Sequence, residues 1–98
     1  MIGVYVTFQY SGDFDRDRVI NVAEKARSMF EGMPGLRFKF FTFDEMQGRA
    51  RNFYVWESRE SAEAFFTDEL RERVTDLYGV APGIDFVEIA QIVDNSGT

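Results

Sequence analysis

Asn52, Tyr54 and Trp56 occupy alternate positions of the segment Arg51-Asn52-Phe53-Tyr54-Val55-Trp56. In an extended segment such side chains project to one side at intervals of about 7 Å. An amide, a phenol and an indole N–H in that arrangement can hold a flat, fused-ring molecule lying along the strand. Tyr5, Gln9, Lys39 and Phe41 are the candidate neighbours across a sheet. The 98 residues include no cysteine and no histidine. That excludes thiolate zinc sites, iron-sulfur clusters, thiol nucleophiles, imidazole bases and His-ligated haem. Asn52 is too weak a base to take a proton at neutral pH, while Tyr54, Lys39 and Glu88 do so usefully only if their surroundings shift them. The acidic pairs Glu60/Glu63 and Glu69/Glu72 lack a complete ligand set and read as solvated helix faces, so no metal is expected. Eleven Lys and Arg against seventeen Asp and Glu, a net charge of -6, argue against a nucleic-acid partner. No apolar stretch approaches the roughly 18 residues of a membrane span, and the amino-terminal residues lack a positively charged leader pattern. A cytoplasmic protein without a membrane partner is the expectation.

The elements that must position these residues follow from periodicity. Ile2, Val4, Val6, Phe8 and Tyr10 alternate with Gly3, Tyr5, Thr7 and Gln9, the pattern of a strand with two unlike faces. Asp15 is a helix cap, and Val19, Val22, Ala23, Ala26, Met29, Phe30 and Met33 form the stripe of a first helix that Gly32 ends. Residues 36–43 read as a second strand and 44–48 as a hairpin connection. A third strand, Arg51 to Trp56, follows. Ser58 caps a second helix with Ala62, Phe65 and Phe66 inward; it breaks or bends near Asp68, and Leu70, Val74, Leu77 and Tyr78 continue the stripe to Gly79. A last strand is expected from about Ile84 to Val93.

The order β-α-β-β-α-β predicts a single α+β domain over residues 1–98 with a ferredoxin-like fold. Strands 1 and 3 are central in its four-stranded antiparallel sheet, and the helices cover one face. The helix-facing sets are most simply Ile2/Val4/Val6/Phe8, Leu36/Phe38/Phe40 and Phe53/Val55. The open face would then carry Tyr5, Thr7, Gln9, Lys39, Phe41, Phe43, Asn52, Tyr54 and Trp56. A surface so aromatic calls for a cover. A second subunit is the plain reading, and a ligand pocket between two sheets is the sharper one. Each candidate also has a structural reading: Trp56 as an apolar wall, Asn52 as a hairpin terminator, Tyr5 and Tyr54 as interface rings, Lys39 as an edge-strand charge. Side chains 52, 54 and 56 packed beneath the helices, or sealed in a dry interface without an adjoining cavity, would defeat the site proposal and leave only the fold.

Met33-Pro34-Gly35-Leu36 before the second strand, Phe38-Lys39-Phe40-Phe41 within it and Tyr54-Val55-Trp56-Glu57-Ser58 before the second helix resemble the YdhR-like monooxygenase group. That group belongs to the dimeric α/β-barrel superfamily of the antibiotic biosynthesis monooxygenases, and the resemblance covers nearly the whole chain. It implies a homodimer and a cavity for an aromatic or polyketide-like small molecule. It further implies oxidation of anthrone-like compounds to quinones by molecular oxygen, without flavin, haem or metal. Asn52, Tyr54 and Trp56 match the Asn, Tyr and Trp implicated in such cavities. Tyr5, Gln9, Lys39 and Phe41, their neighbours across the sheet, are the expected substrate contacts.

Overall fold

The computed structural model describes residues 1–97. Its elements are β1 (Ile2–Gln9), α1 (Arg16–Phe30), β2 (Leu36–Asp44), β3 (Arg49–Trp56), α2 (Arg59–Phe65), α3 (Asp68–Tyr78) and β4 (Gly83–Glu88). The strands form an antiparallel sheet in the order β2-β3-β1-β4, with β1 and β3 central and the helices on one face. This is the ferredoxin-like arrangement expected from the sequence. Each helix starts where a short side chain accepts an N–H that the first turn leaves unpaired. Asp15 takes that of Arg18 at 3.0 Å, Ser58 that of Ser61 at 3.1 Å and Thr67 that of Leu70 at 3.2 Å. The cap at Thr67 divides the second helical region in two, close to the expected break at Asp68. Gly79, with φ 84°, ends α3 in the left-handed conformation that favours glycine.

The last strand is shorter than expected. It stops at Glu88 because, among the described residues, its only neighbouring strand is β1, and Ile2, paired with Glu88, is the first residue of β1. One more bond, from the Ile89 N–H to the Met1 carbonyl at 3.3 Å, completes the ladder. Beyond it no strand remains to pair with among the described residues, and residues 89–96 run outside the sheet along Phe38, Phe40, Phe53 and Val55.

The assignment of faces on β2 and β3 is corrected by the register. Directly paired residues share a face, and β1 pairs Ile2 with Trp56, Val4 with Tyr54, Val6 with Asn52 and Phe8 with Ala50. The inward β1 residues therefore bring Asn52, Tyr54 and Trp56 beneath the helices. On β2 the same face takes Lys39, opposite Tyr54, and Phe41, opposite Asn52. Phe38, Phe40, Phe53 and Val55 lie on the other face with Tyr5. A register shift between Leu36 and Phe38 inserts Arg37 as an extra residue, so Leu36 stays on the helix side opposite Trp56 while Phe38 turns outward.

On the outward face Gly3 leaves room for a neighbour. A Cβ there would stand 2.8 Å from the Phe53 ring and 3.0 Å from a Val87 methyl. Gly3→Ala is expected to cost about 1–3 kcal/mol of stability, the usual range for overpacking. In a Phe53→Ala background the same change should cost clearly less. A urea-denaturation double-mutant cycle measures this, and equal costs in both backgrounds would show that Phe53 is not the constraint.

Candidate functional site

Between the inward sheet face and the helices lies a cavity of about 70 Å³. Its floor includes Val6, Phe8, Lys39, Phe41, Asn52 and Tyr54; α1 contributes Val22, Ala26 and Phe30, and Phe65, Phe66, Val74 and Tyr78 come from the α2–α3 region. No carboxylate is among its described lining residues. Phe41, Asn52 and Tyr78 also border a cleft of about 190 Å³ at Val19, Ala23 and Thr42. These three side chains are common to the cavity and to that cleft.

Two polar pairs sit in this apolar setting. Asn52, 4% exposed, donates its Nδ2 to the Tyr78 hydroxyl at 3.2 Å. Tyr78 is held in place by stacking on Phe8, with centroids 3.7 Å apart and planes 3° from parallel. Its carbonyl accepts from the Tyr10 hydroxyl at 2.8 Å. Lys39 Nζ donates to the Tyr54 hydroxyl at 2.7 Å. The same nitrogen lies 3.4 Å from the centroid of Phe30, 4.2 Å from that of Phe41 and 4.2 Å from that of Tyr54. None of the four ion pairs among the described residues includes Lys39.

Burial acts on these groups in opposite directions. It raises the Tyr54 and Tyr78 phenols above their ordinary range, the Asn52 hydrogen bond pulling Tyr78 partly back. The Lys39 amine is lowered to about 6 by the same loss of water. At neutral pH the phenols therefore keep their protons, and the amine is largely uncharged.

The seven sequence candidates separate cleanly. Asn52, Tyr54, Lys39 and Phe41 are brought together, but beneath the helices, the placement that defeats the site expected on the open sheet face; the cavity they line lies on the helix-covered face instead. Trp56, 2% exposed, shares that face but stands behind Tyr54 and outside the cavity lining, nearly parallel to the Tyr54 ring at 6.0 Å and tilted on Phe65 at 5.2 Å. Among the described residues its buried Nε1–H has no hydrogen-bond partner. Tyr5 and Gln9 lie elsewhere. Tyr5 is on the outward face against Phe53 at 4.6 Å and beneath the Arg51 guanidinium at 4.3 Å. Gln9 donates to the Gln47 carbonyl at 2.8 Å and latches the β2–β3 connection. Glu88 pairs at the sheet edge and does not line the cavity, whereas Ile84 does. The sequence reading missed Tyr78 and Phe30 as site residues, having placed both in helix stripes. A tyrosine closing an apolar stripe was the available signal, since a buried hydroxyl needs a partner.

No protein-family model matches the chain, and no curated sequence matches it significantly. Solved structures do. The monooxygenase from ActVA-Orf6 of Streptomyces coelicolor, determined with nanaomycin D, superposes with a TM-score of 0.72 at 20% identity, over 97% of this chain and 92% of that one. SnoaB, a cofactor-independent oxygenase from Streptomyces nogalater, gives 0.66 at 13% identity over 94% and 95%. A Deinococcus radiodurans protein of the antibiotic biosynthesis monooxygenase type gives 0.65 at 14% over 96% and 97%. The chain therefore has the fold of these antibiotic biosynthesis monooxygenase-type proteins.

Proposed function

We propose that the protein is a cofactor-independent monooxygenase acting on an aromatic, polyketide-like phenol, and that it works as a homodimer in the cytoplasm. The observation that carries this reading is the convergence of Asn52, Tyr54, Lys39 and Tyr78 in an aromatic-walled cavity without carboxylates. The shared fold with an oxygenase described as cofactor-independent supports it, as does the sequence resemblance to the YdhR-like group. Deprotonating an electron-rich phenol or its activated CH₂ leaves an anion that can pass an electron to oxygen. In the overall reaction the CH₂ becomes C=O with one oxygen atom of O₂, and the other leaves with the two hydrogens as water. The protein's part is a dry site, oriented donors and a place for the proton.

The cavity of about 70 Å³ is small for a fused-ring molecule. A fused-ring substrate requires Phe41 and Tyr78 to swing, joining it to the adjoining cleft between α1 and β2. Movement of Tyr78 would break its bond with Asn52 and free the amide to orient a substrate oxygen. Asn52→Ala is accordingly expected to lower kcat by about 10²–10³-fold while changing KM far less, the mark of a group engaged mainly in the transition state. Oxygen uptake with dihydroxyanthracenone-type substrates is the assay. Ligand-induced thermal stabilisation without oxygen uptake across such a panel would reassign the cavity to non-oxidative binding.

The dimer is argued from the outward sheet face. Phe38 is 38% exposed and Phe40 53%, and they stack at 6.5 Å beside Phe53 and Val55. Residues 89–96 border this patch but leave Phe38 and Phe40 exposed; an apolar patch of this kind favours a partner, and a second copy of the chain is the partner proposed. Sedimentation is expected to show a dimer at micromolar concentration, with an interface above roughly 1,200 Å². Phe40→Glu should give folded monomers. A wild-type monomer at that concentration overturns the assembly.

A further inference from the structure

We propose that Lys39 is the proton acceptor of this cavity: its Nζ takes the proton from the phenolic O–H or activated C–H of the substrate, with the Tyr54 hydroxyl holding the amine in place. The inference rests on the oxygenase reading above and adds the base which that reading lacks.

Three observations support it. The first is the chemistry of the lining. Phenols, an amide and apolar side chains surround the space, and the guanidiniums of Arg71 and Arg73 at its rim cannot accept a proton at neutral pH. Among the described lining residues, Lys39 is the group that can. The second is placement. Lys39 is directly opposite Tyr54 in the β2–β3 ladder and reaches its hydroxyl at 2.7 Å, while Phe30, Phe41 and Tyr54 present rings to the same nitrogen. The rings give a newly formed ammonium a favourable electrostatic setting without quenching it as a carboxylate would. The third is residue choice. Nine of the eleven cationic side chains are arginine, and the two lysines are Lys25 and Lys39. At the cavity floor the chain places the cation that can lose its proton.

The titratable and charged groups around the amine agree with this role. From β3 there is Tyr54, and from α3 come Tyr78, Arg71 and Arg73. On the outer side of Lys39, Arg27, Glu31 and Arg37 border a separate cleft, where Glu31 is engaged by Arg27 at 3.2 Å. Burial keeps the amine near 6, so it is mostly neutral at pH 7 and charged below pH 6. A base of that strength is matched to neutral operating conditions.

The step balances without an added reactant. The substrate O–H or C–H bond breaks as the N–H bond forms, the electron pair stays on the substrate, and the ammonium faces the new anion. Electron transfer to oxygen follows, and the proton returns to the oxygen atom that leaves as water.

The test begins with protein ¹³C-enriched at lysine Cε, in which Lys25 and Lys39 give the two signals and Lys39→Met assigns them. The Lys39 resonance should titrate with a midpoint near 6. A Lys39 midpoint above about 9 overturns the proposal. In oxygen uptake, wild-type kcat/KM should rise with pH through about 6 and then level off. Lys39→Met should remove that limb and lower kcat by about 10²-fold or more, with a smaller change in KM. Lys39→Arg retains charge and donors but cannot accept a proton, so a rate within a few-fold of wild type would show that Lys39 merely holds an anion. If wild type oxidises no phenol of the panel, the oxygenase reading fails on its own. The NMR midpoint then decides Lys39 together with 4-nitrophenol bound at pH 6.5. The yellow phenolate should form on wild type in excess of the free solution and not on Lys39→Met, and equal colour on both overturns the assignment.

Discussion

The placement of every candidate residue depends on one cross-strand pairing: Val6 lies opposite Asn52. A shift of one residue would send every side chain of β3 to the other face. With this register, a fully buried stripe of Val4, Val6 and Phe8 carries Asn52, Tyr54 and Trp56 with it beneath the helices. The β2–β3 ladder then sets Lys39 opposite Tyr54. The polar groups are inside because the sheet's most apolar strand is inside, and they share its face.

Such an interior is costly unless its polar atoms find partners. Asn52 and Tyr78 satisfy one another, and Tyr10 ties the end of β1 to the α3 carboxyl terminus through the Tyr78 carbonyl. Trp56 is the exception, its N–H left without an acceptor among the described residues. Lys39 is accommodated differently, by rings and one phenol, which leaves its protonation state responsive to what enters the cavity. Packing and reactivity thus have the same origin: Phe30 and Tyr54 close the site and also set the electrostatics of the amine.

Much of the fold was legible in the sequence. Alternation in residues 2–9, the caps Asp15 and Ser58 and the terminating Gly79 marked elements that the structure retains. Strand order followed from the βαββαβ sequence of elements. The end of β4 was not legible, because residues 89–93 are as apolar as a strand and only the length of β1 excludes them. The faces of β2 and β3 were misread for a related reason. Hydrophobicity favours Phe38, Phe40, Phe53 and Val55 as the inward set, and those residues instead form the outward patch. Asn52, Tyr54, Lys39 and Phe41 were singled out correctly as neighbours through alternation and pairing, while the side of the sheet they occupy depends on a register that periodicity within one strand does not contain.

The extra residue at Arg37 gives the chain a length buffer. By absorbing one residue between Leu36 and Phe38, the bulge keeps a charged side chain away from Trp56 and separates the phase of the α1–β2 connection from that of the strand following it. The pairing of Lys39 with Tyr54 is maintained from the other end of the strand, by the short turn that leads from Asp44 to Arg49. Insertions or deletions around residues 31–35 can therefore be taken up at the bulge without rotating the amine out of the cavity. A change of one residue in the 45–48 turn has no such buffer and would exchange the two faces of β2.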